Sequence, residues 1–170
     1  MINAIAKLIL ALNGNVKKSQ IAAGFAWGLV LGLVPFGFFW IVIFLVSFFF
    51  KHNHGSKIFS TAILKLLSPL IAPLVDMLGW EVLHITAMQP LYTSWYNMPF
   101  VPFTRFNNTL VAGGLVGGLI LCIPVFLLFM ALIPLYRNTI AAKIRNSKLL
   151  KFFGKIPFLN AIEKIISKGA

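Results

Sequence analysis

Residues 21–50 read IAAGFAWGLVLGLVPFGFFWIVIFLVSFFF, thirty positions without one charged side chain. Built as a single straight α-helix, this run would extend roughly 45 Å, well beyond the ~30 Å hydrocarbon core of a bilayer. Its middle holds Val34-Pro35-Phe36-Gly37. Proline lacks the amide donor and its ring collides with the preceding turn, while a nearby glycine permits positive φ. Pro35 and Gly37 therefore predict a break, with two half-length helices folded into a re-entrant hairpin. Backbone freed in this way is tolerable only against protein or water, not against lipid.

Two further apolar runs, residues 58–83 and 110–136, reach the ~20 residues that a spanning helix needs. The whole chain has 170 residues, 59% of them hydrophobic and 11% charged, with a mean hydropathy of +0.92. A soluble domain of this size cannot hide so much apolar surface. The expected fold is an all-α integral membrane protein, with broken or re-entrant helices and one plain transmembrane helix between amphipathic interfacial helices. Residues 1–136 form the expected membrane domain: an interfacial helix and link (1–20), the broken hairpin (21–50), a proline-interrupted span (58–83), an outer interfacial loop (84–106) and a transmembrane helix (107–136). Residues 137–170 form a basic amphipathic cytoplasmic tail.

Local signals fill in this plan. Ile2, Ile5, Ile9 and Leu12 recur at helical steps, and no removable targeting segment stands out. Pro69 and Pro73 predict a second break, and Pro124 a kink. Asn107-Asn108-Thr109 can cap the helix that follows. Residues 84–106 are rich in proline and aromatic rings, which favour the headgroup zone.

Fifteen Lys and Arg stand against three acids, a formal charge of +12. Most cations flank apolar segments or lie in the tail, so topology and anionic lipid account for them better than nucleic acid does. Residues 84–106 carry Arg105 as their one charge, whereas the tail from Arg137 carries eight cations. Both termini and the 51–57 loop are therefore expected in the cytoplasm and the aromatic loop outside. That requires one of the two runs before the loop to turn back, and Lys51 and Lys57 favour residues 21–50.

Gly24, Gly28 and Gly32 fall on one helix face, and Gly113, Gly114, Gly117 and Gly118 form two offset small-xxx-small pairs. Such faces let helix backbones approach closely, within one chain or between copies in a homo-oligomer. Lys65 and Asp76 are charges inside an apolar run, where burial is costly and often marks a polar path. A bend between them would allow a pair; otherwise each lies near an interface, with Lys65 snorkelling. His52 and His54, without a nearby Cys or carboxylate, fall short of a metal site. Cys122 is the single cysteine and has no intrachain partner. No catalytic triad, paired carboxylates or phosphate-binding loop is present, so no enzyme activity, cofactor or metal is expected.

The run from Ala22-Ala23-Gly24 through Gly28 and Gly32 to Pro35 and Gly37, followed by Ser68-Pro69 and Pro73, resembles a bacterial family of small membrane proteins of unknown function. Thr104-Arg105-Phe106-Asn107-Asn108-Thr109-Leu110 and Tyr136-Arg137 look like a subgroup found in spirochaetes and some proteobacteria. The likeness extends to about Lys155, and the wider family often has Asn where this chain has Ser68. Subgroup members are typically encoded beside a larger AsmA-like protein, a class associated with bridging the envelope and moving lipid. The resemblance thus implies an inner-membrane location, a phospholipid setting and an AsmA-like partner. Arg105, Asn107 and Asn108 are the candidate contacts to that partner or to a lipid headgroup.

Overall fold

The computed structural model describes residues 16–141. The helix expected before residue 16 and the tail helices expected beyond residue 141 lie outside the described residues. Within them, the regular elements are all helical: α1 (Lys18–Leu33), α2 (Phe38–Ser47), α3 (His54–Leu83), α4 (Gln89–Tyr96) and α5 (Thr109–Leu135). Short 3₁₀ turns, Thr86–Met88 and Val101–Thr104, flank α4, and a π-type turn, Tyr136–Ala141, follows α5. Two helices, His54–Leu83 and Thr109–Asn138, are long and apolar enough to cross a membrane.

The break at Pro35 forms as expected. Val34 precedes a proline and is pushed into extended backbone, φ −73° and ψ 127°, which ends α1. Gly37 departs from expectation, because its φ of 169° is extended backbone open to any residue. Pro35 is therefore the residue whose chemistry accounts for the break. From there α2 leads back to the start of α1, where the Asn53 amide donates to the Gln20 carbonyl at 2.8 Å. The stretch from Gln20 to Asn53 is thus a closed helical hairpin.

After this return α3 lies parallel to α1. Gly24 faces Asn53 and Ser56, Gly28 faces Lys57 and Ser60, and Gly32 faces Leu64. The third long helix, α5, runs antiparallel to both. Gly114 and Gly118 lie against Leu33, Val34 and Val30 of α1, and Phe25 stacks on Phe129 with centroids 3.7 Å apart. Gly79 of α3 meets Thr109 and Gly113 of α5. Asparagines start both long helices: Asn53 accepts from the Ser56 amide at 2.9 Å, and Asn108 accepts from the Leu110 and Val111 amides at 3.0 and 3.2 Å.

The second expected break is corrected by the structure. Helix α3 continues through Pro69 and Pro73 for 30 residues. Pro69 lacks the amide that would bond the Lys65 carbonyl one turn back, and the Ser68 hydroxyl donates to that carbonyl instead, at 2.9 Å. A side-chain donor replaces the missing backbone donor, so the turn survives. Pro124 is likewise accommodated inside α5. Lys57, expected in a polar loop, lies instead in the first turn of α3 and is 1% exposed.

Candidate functional site

The interface between α1 and α3 is a ladder of polar side chains set between glycines. Ser56 donates to the Ile21 carbonyl at 3.1 Å, Ser60 to Phe25 at 3.2 Å and Thr61 to Gly28 at 3.3 Å. Lys65 extends the series by donating from its ammonium to the Val34 carbonyl. Short hydroxyls can reach another helix's carbonyls only if the backbones nearly touch. A β-carbon at Gly24 would lie 2.0 Å from Ser56 Oγ, and one at Gly28 would lie 2.6 Å from the Lys57 carbonyl oxygen. Glycines on one helix and hydroxyls on the other are two halves of a single device. Sequence reasoning found the glycines and missed Ser56, Ser60 and Thr61, although their spacing places them along one face of α3.

The ladder ends at the break. A helix leaves its last carbonyls without backbone partners and carries partial negative charge there. At α1 the Leu31 carbonyl accepts from the Trp40 indole at 2.8 Å and the Val34 carbonyl accepts from Lys65. The Lys65 ammonium also lies 4.4 Å from the centroid of the Phe36 ring, a favourable cation–π placement. Lys65 thus serves as a long-range cap on the helix that stops short.

Asp76 answers the opposite pole. Its carboxylate accepts from the hydroxyl of Thr109, the first residue of α5, where a helix N-terminus favours negative charge. Lys65 and Asp76 are therefore not brought together. The unbroken α3 separates them by roughly 16 Å along its axis, and each charge stands at the end of a different helix.

All the candidate packing glycines make intrachain contacts. Gly113 would bring a β-carbon to 1.9 Å from the Val75 carbonyl oxygen, and Gly79, absent from the sequence reading, to 1.8 Å from that of Thr109. Gly114 and Gly118 face α1, and Gly117 faces Leu78. Gly37 differs, since nothing lies within 4 Å of its β position.

At the closed end of the hairpin, Lys57 donates to Ser47 Oγ at 2.8 Å and lies 4.6 and 4.4 Å from the Phe44 and Phe48 ring centroids. Hydroxyl and rings together replace a carboxylate as its partners. His52 donates from Nδ1 to the Phe50 carbonyl at 2.8 Å, and its Nε2 is buried without a partner among the described residues. Burial holds its pKa below the ordinary 6.5; the Phe50 bond opposes this, and the Lys57 and His54 charges reinforce it. Among the described residues no group of three potential ligands could hold a metal ion.

Arg105 is exposed on the arm between α3 and α5, and its side chain makes no hydrogen bond or ion pair among the described residues. Asn107 is also exposed. Asn108 is occupied in capping α5.

These features define an all-helical protein with two long apolar helices packed on each other and on α1. The chain belongs to the same family as a protein of Treponema pallidum (strain Nichols), described as an uncharacterized protein. The two are 32% identical over 150 residues, which cover 88% of this chain and 93% of its relative. No family model matches the chain, and no solved structure matches it.

Proposed function

We propose that the chain is a non-enzymatic subunit of the bacterial inner membrane, working with a larger AsmA-like envelope-spanning protein and admitting phospholipid from the bilayer. The observation that supports a membrane setting is the exposure of its two long apolar helices. Only 6% of the apolar window of His54–Leu83 and 17% of that of Thr109–Asn138 is buried inside the protein. The core helix of a soluble protein would be mostly buried, whereas lipid solvates such side chains directly. The hairpin then stands as a re-entrant element, its Lys65- and Trp40-capped end at membrane depth. Lys17, Lys18, Lys51 and Arg137 gather at the hairpin's closed end, which fits a cytoplasmic side under the positive-inside rule.

The resemblance to the AsmA-linked subgroup supplies the partner. A small transporter or channel using Lys65 and Asp76 is the competing reading, but each of these charges has its own helix end to satisfy. Glycine faces for a homo-oligomer are filled from within the chain. Co-purification in mild detergent tests the proposal. A large partner protein is expected; a homo-oligomer alone would favour the transporter, and a lone monomer a passive anchor. Labelling of single cysteines in a Cys122→Ser background tests the topology. Lys51→Cys should react only from the cytoplasm and Asn107→Cys only from outside.

A further inference from the structure

Residues 84–108, which join α3 to α5, contain no acidic side chain, and Arg105 is their one Lys or Arg. Phe100 at φ 69° and Arg105 at φ 54° are the non-glycine residues with left-handed backbone among those described. They bracket the turn Val101–Thr104. This conformation crowds a β-carbon against the backbone, so the surroundings must hold it. Phe103 N–H donates to the Phe100 carbonyl at 3.2 Å, Arg105 N–H to Pro102 at 3.1 Å and Asn108 N–H to Arg105 at 2.9 Å. Phe106 packs edge-on against Trp95, with centroids 6.0 Å apart.

The backbone of Arg105 is therefore engaged through both its amide and its carbonyl, while its guanidinium has no partner among the described residues. In the same turn Phe100 and Phe103 are 74% and 69% exposed. Bare rings next to a five-donor cation suit a boundary between hydrocarbon and phosphate, because the rings need an apolar medium and the planar fork matches phosphate oxygens. An acidic protein segment without apolar side chains would satisfy the arginine but leave both rings in water.

We infer that the turn at residues 100–106 docks a phospholipid of the surrounding bilayer. Arg105 donates a forked pair of hydrogen bonds to the lipid phosphate, and Phe100 and Phe103 lie along the glycerol and upper acyl chains. The inference rests on the membrane reading above and names the lipid group that this arm engages.

The experiment uses the full-length protein in a phosphate-free detergent, titrated with phosphatidylglycerol or with diacylglycerol of the same acyl chains. Native mass spectrometry counts the lipid retained. Wild type should prefer phosphatidylglycerol, and Arg105→Gln should weaken that binding about tenfold, the worth of a charge-assisted hydrogen bond. Arg105→Lys, which keeps the charge without the fork, should fall between. Arg105→Gly guards against misfolding, because glycine accepts the left-handed backbone without crowding. It should melt no lower than wild type and still lose the lipid. Equal retention of phosphatidylglycerol by wild type, Arg105→Gln and Arg105→Gly, or equal binding of diacylglycerol, overturns the inference. Loss of the co-purifying partner with lipid retention intact overturns it too, while leaving the proposed subunit role standing. Recovery of the wild-type chain in the soluble fraction would instead remove the membrane reading itself.

Discussion

The ammonium of Lys65 bonds the carbonyl of Val34, 31 residues earlier in the chain, and thereby closes the end of a helix that stops short. Asp76 performs a separate task at the first residue of α5. Lys65→Met should cost ~1.5–3 kcal/mol, the range for a hydrogen bond to a charged group. Asp76→Asn keeps an acceptor for Thr109 and should cost less than ~1 kcal/mol. Reversible unfolding of the four proteins in detergent should give losses that add within ~0.5 kcal/mol. Recovery in the double variant would mean that the two charges neutralise each other after all.

The Ser68 hydroxyl stands in for the amide that Pro69 lacks. Ser68→Ala should therefore destabilise α3 by ~1–2 kcal/mol, since the Lys65 carbonyl is left without its donor. Adding Pro69→Ala restores a backbone amide and should return most of that loss. Thermal melts of both single variants and the double variant decide the point. Equal melting of Ser68→Ala with and without the second change would remove this account of the unbroken helix.

Substitution by alanine should sort the glycines sharply. Gly79→Ala and Gly113→Ala drive a methyl group into the facing backbone of a neighbouring helix, at a cost of about 3 kcal/mol or more. Gly37→Ala meets open space on extended backbone and should change stability by less than ~0.5 kcal/mol. The yield of folded protein by size-exclusion chromatography reads the contrast. Comparable loss at Gly37 would show that the break needs glycine itself.

Acidification should weaken the closed end of the hairpin through His52. Its folded pKa lies below the ordinary 6.5, mainly through burial. The unfolded chain therefore takes up the proton first, and folding loses stability as pH falls. The His52 contribution is complete above about pH 6.5 and declines below it. Melting temperature followed from pH 8 to pH 5 should fall less steeply in His52→Asn than in wild type. Identical slopes would mean that His52 does not couple protonation to folding.

What could be read from the sequence was whatever one residue type decides locally. Pro35 breaks the helix because its missing amide and the restriction on Val34 act within one turn. Asn108 caps α5 for an equally local reason. Pro69 misled because its compensation comes from the Ser68 hydroxyl, and proline spacing alone does not show whether a neighbouring donor will turn inward. The glycine faces announced close contact but not with what, since Gly79 and Gly113 meet across a 34-residue separation. Lys65 and Asp76 stood out as charges in an apolar run. Their partners did not, because Val34 and Thr109 reach them only once α1 and α5 are docked on α3.

Closure of the hairpin by Asn53 on Gln20 also bears on how this family can vary in length. Since Asn53 returns the chain to a fixed point on α1, residues added or removed in the turn at 48–51 leave the register of α3 against α5 unchanged. A single residue gained or lost in α3 between Gly79 and the Ser56–Lys65 ladder would instead rotate one set of contacts by about 100° relative to the other. Insertions and deletions among relatives should therefore gather in the turn between α2 and α3 and spare α1 and α3.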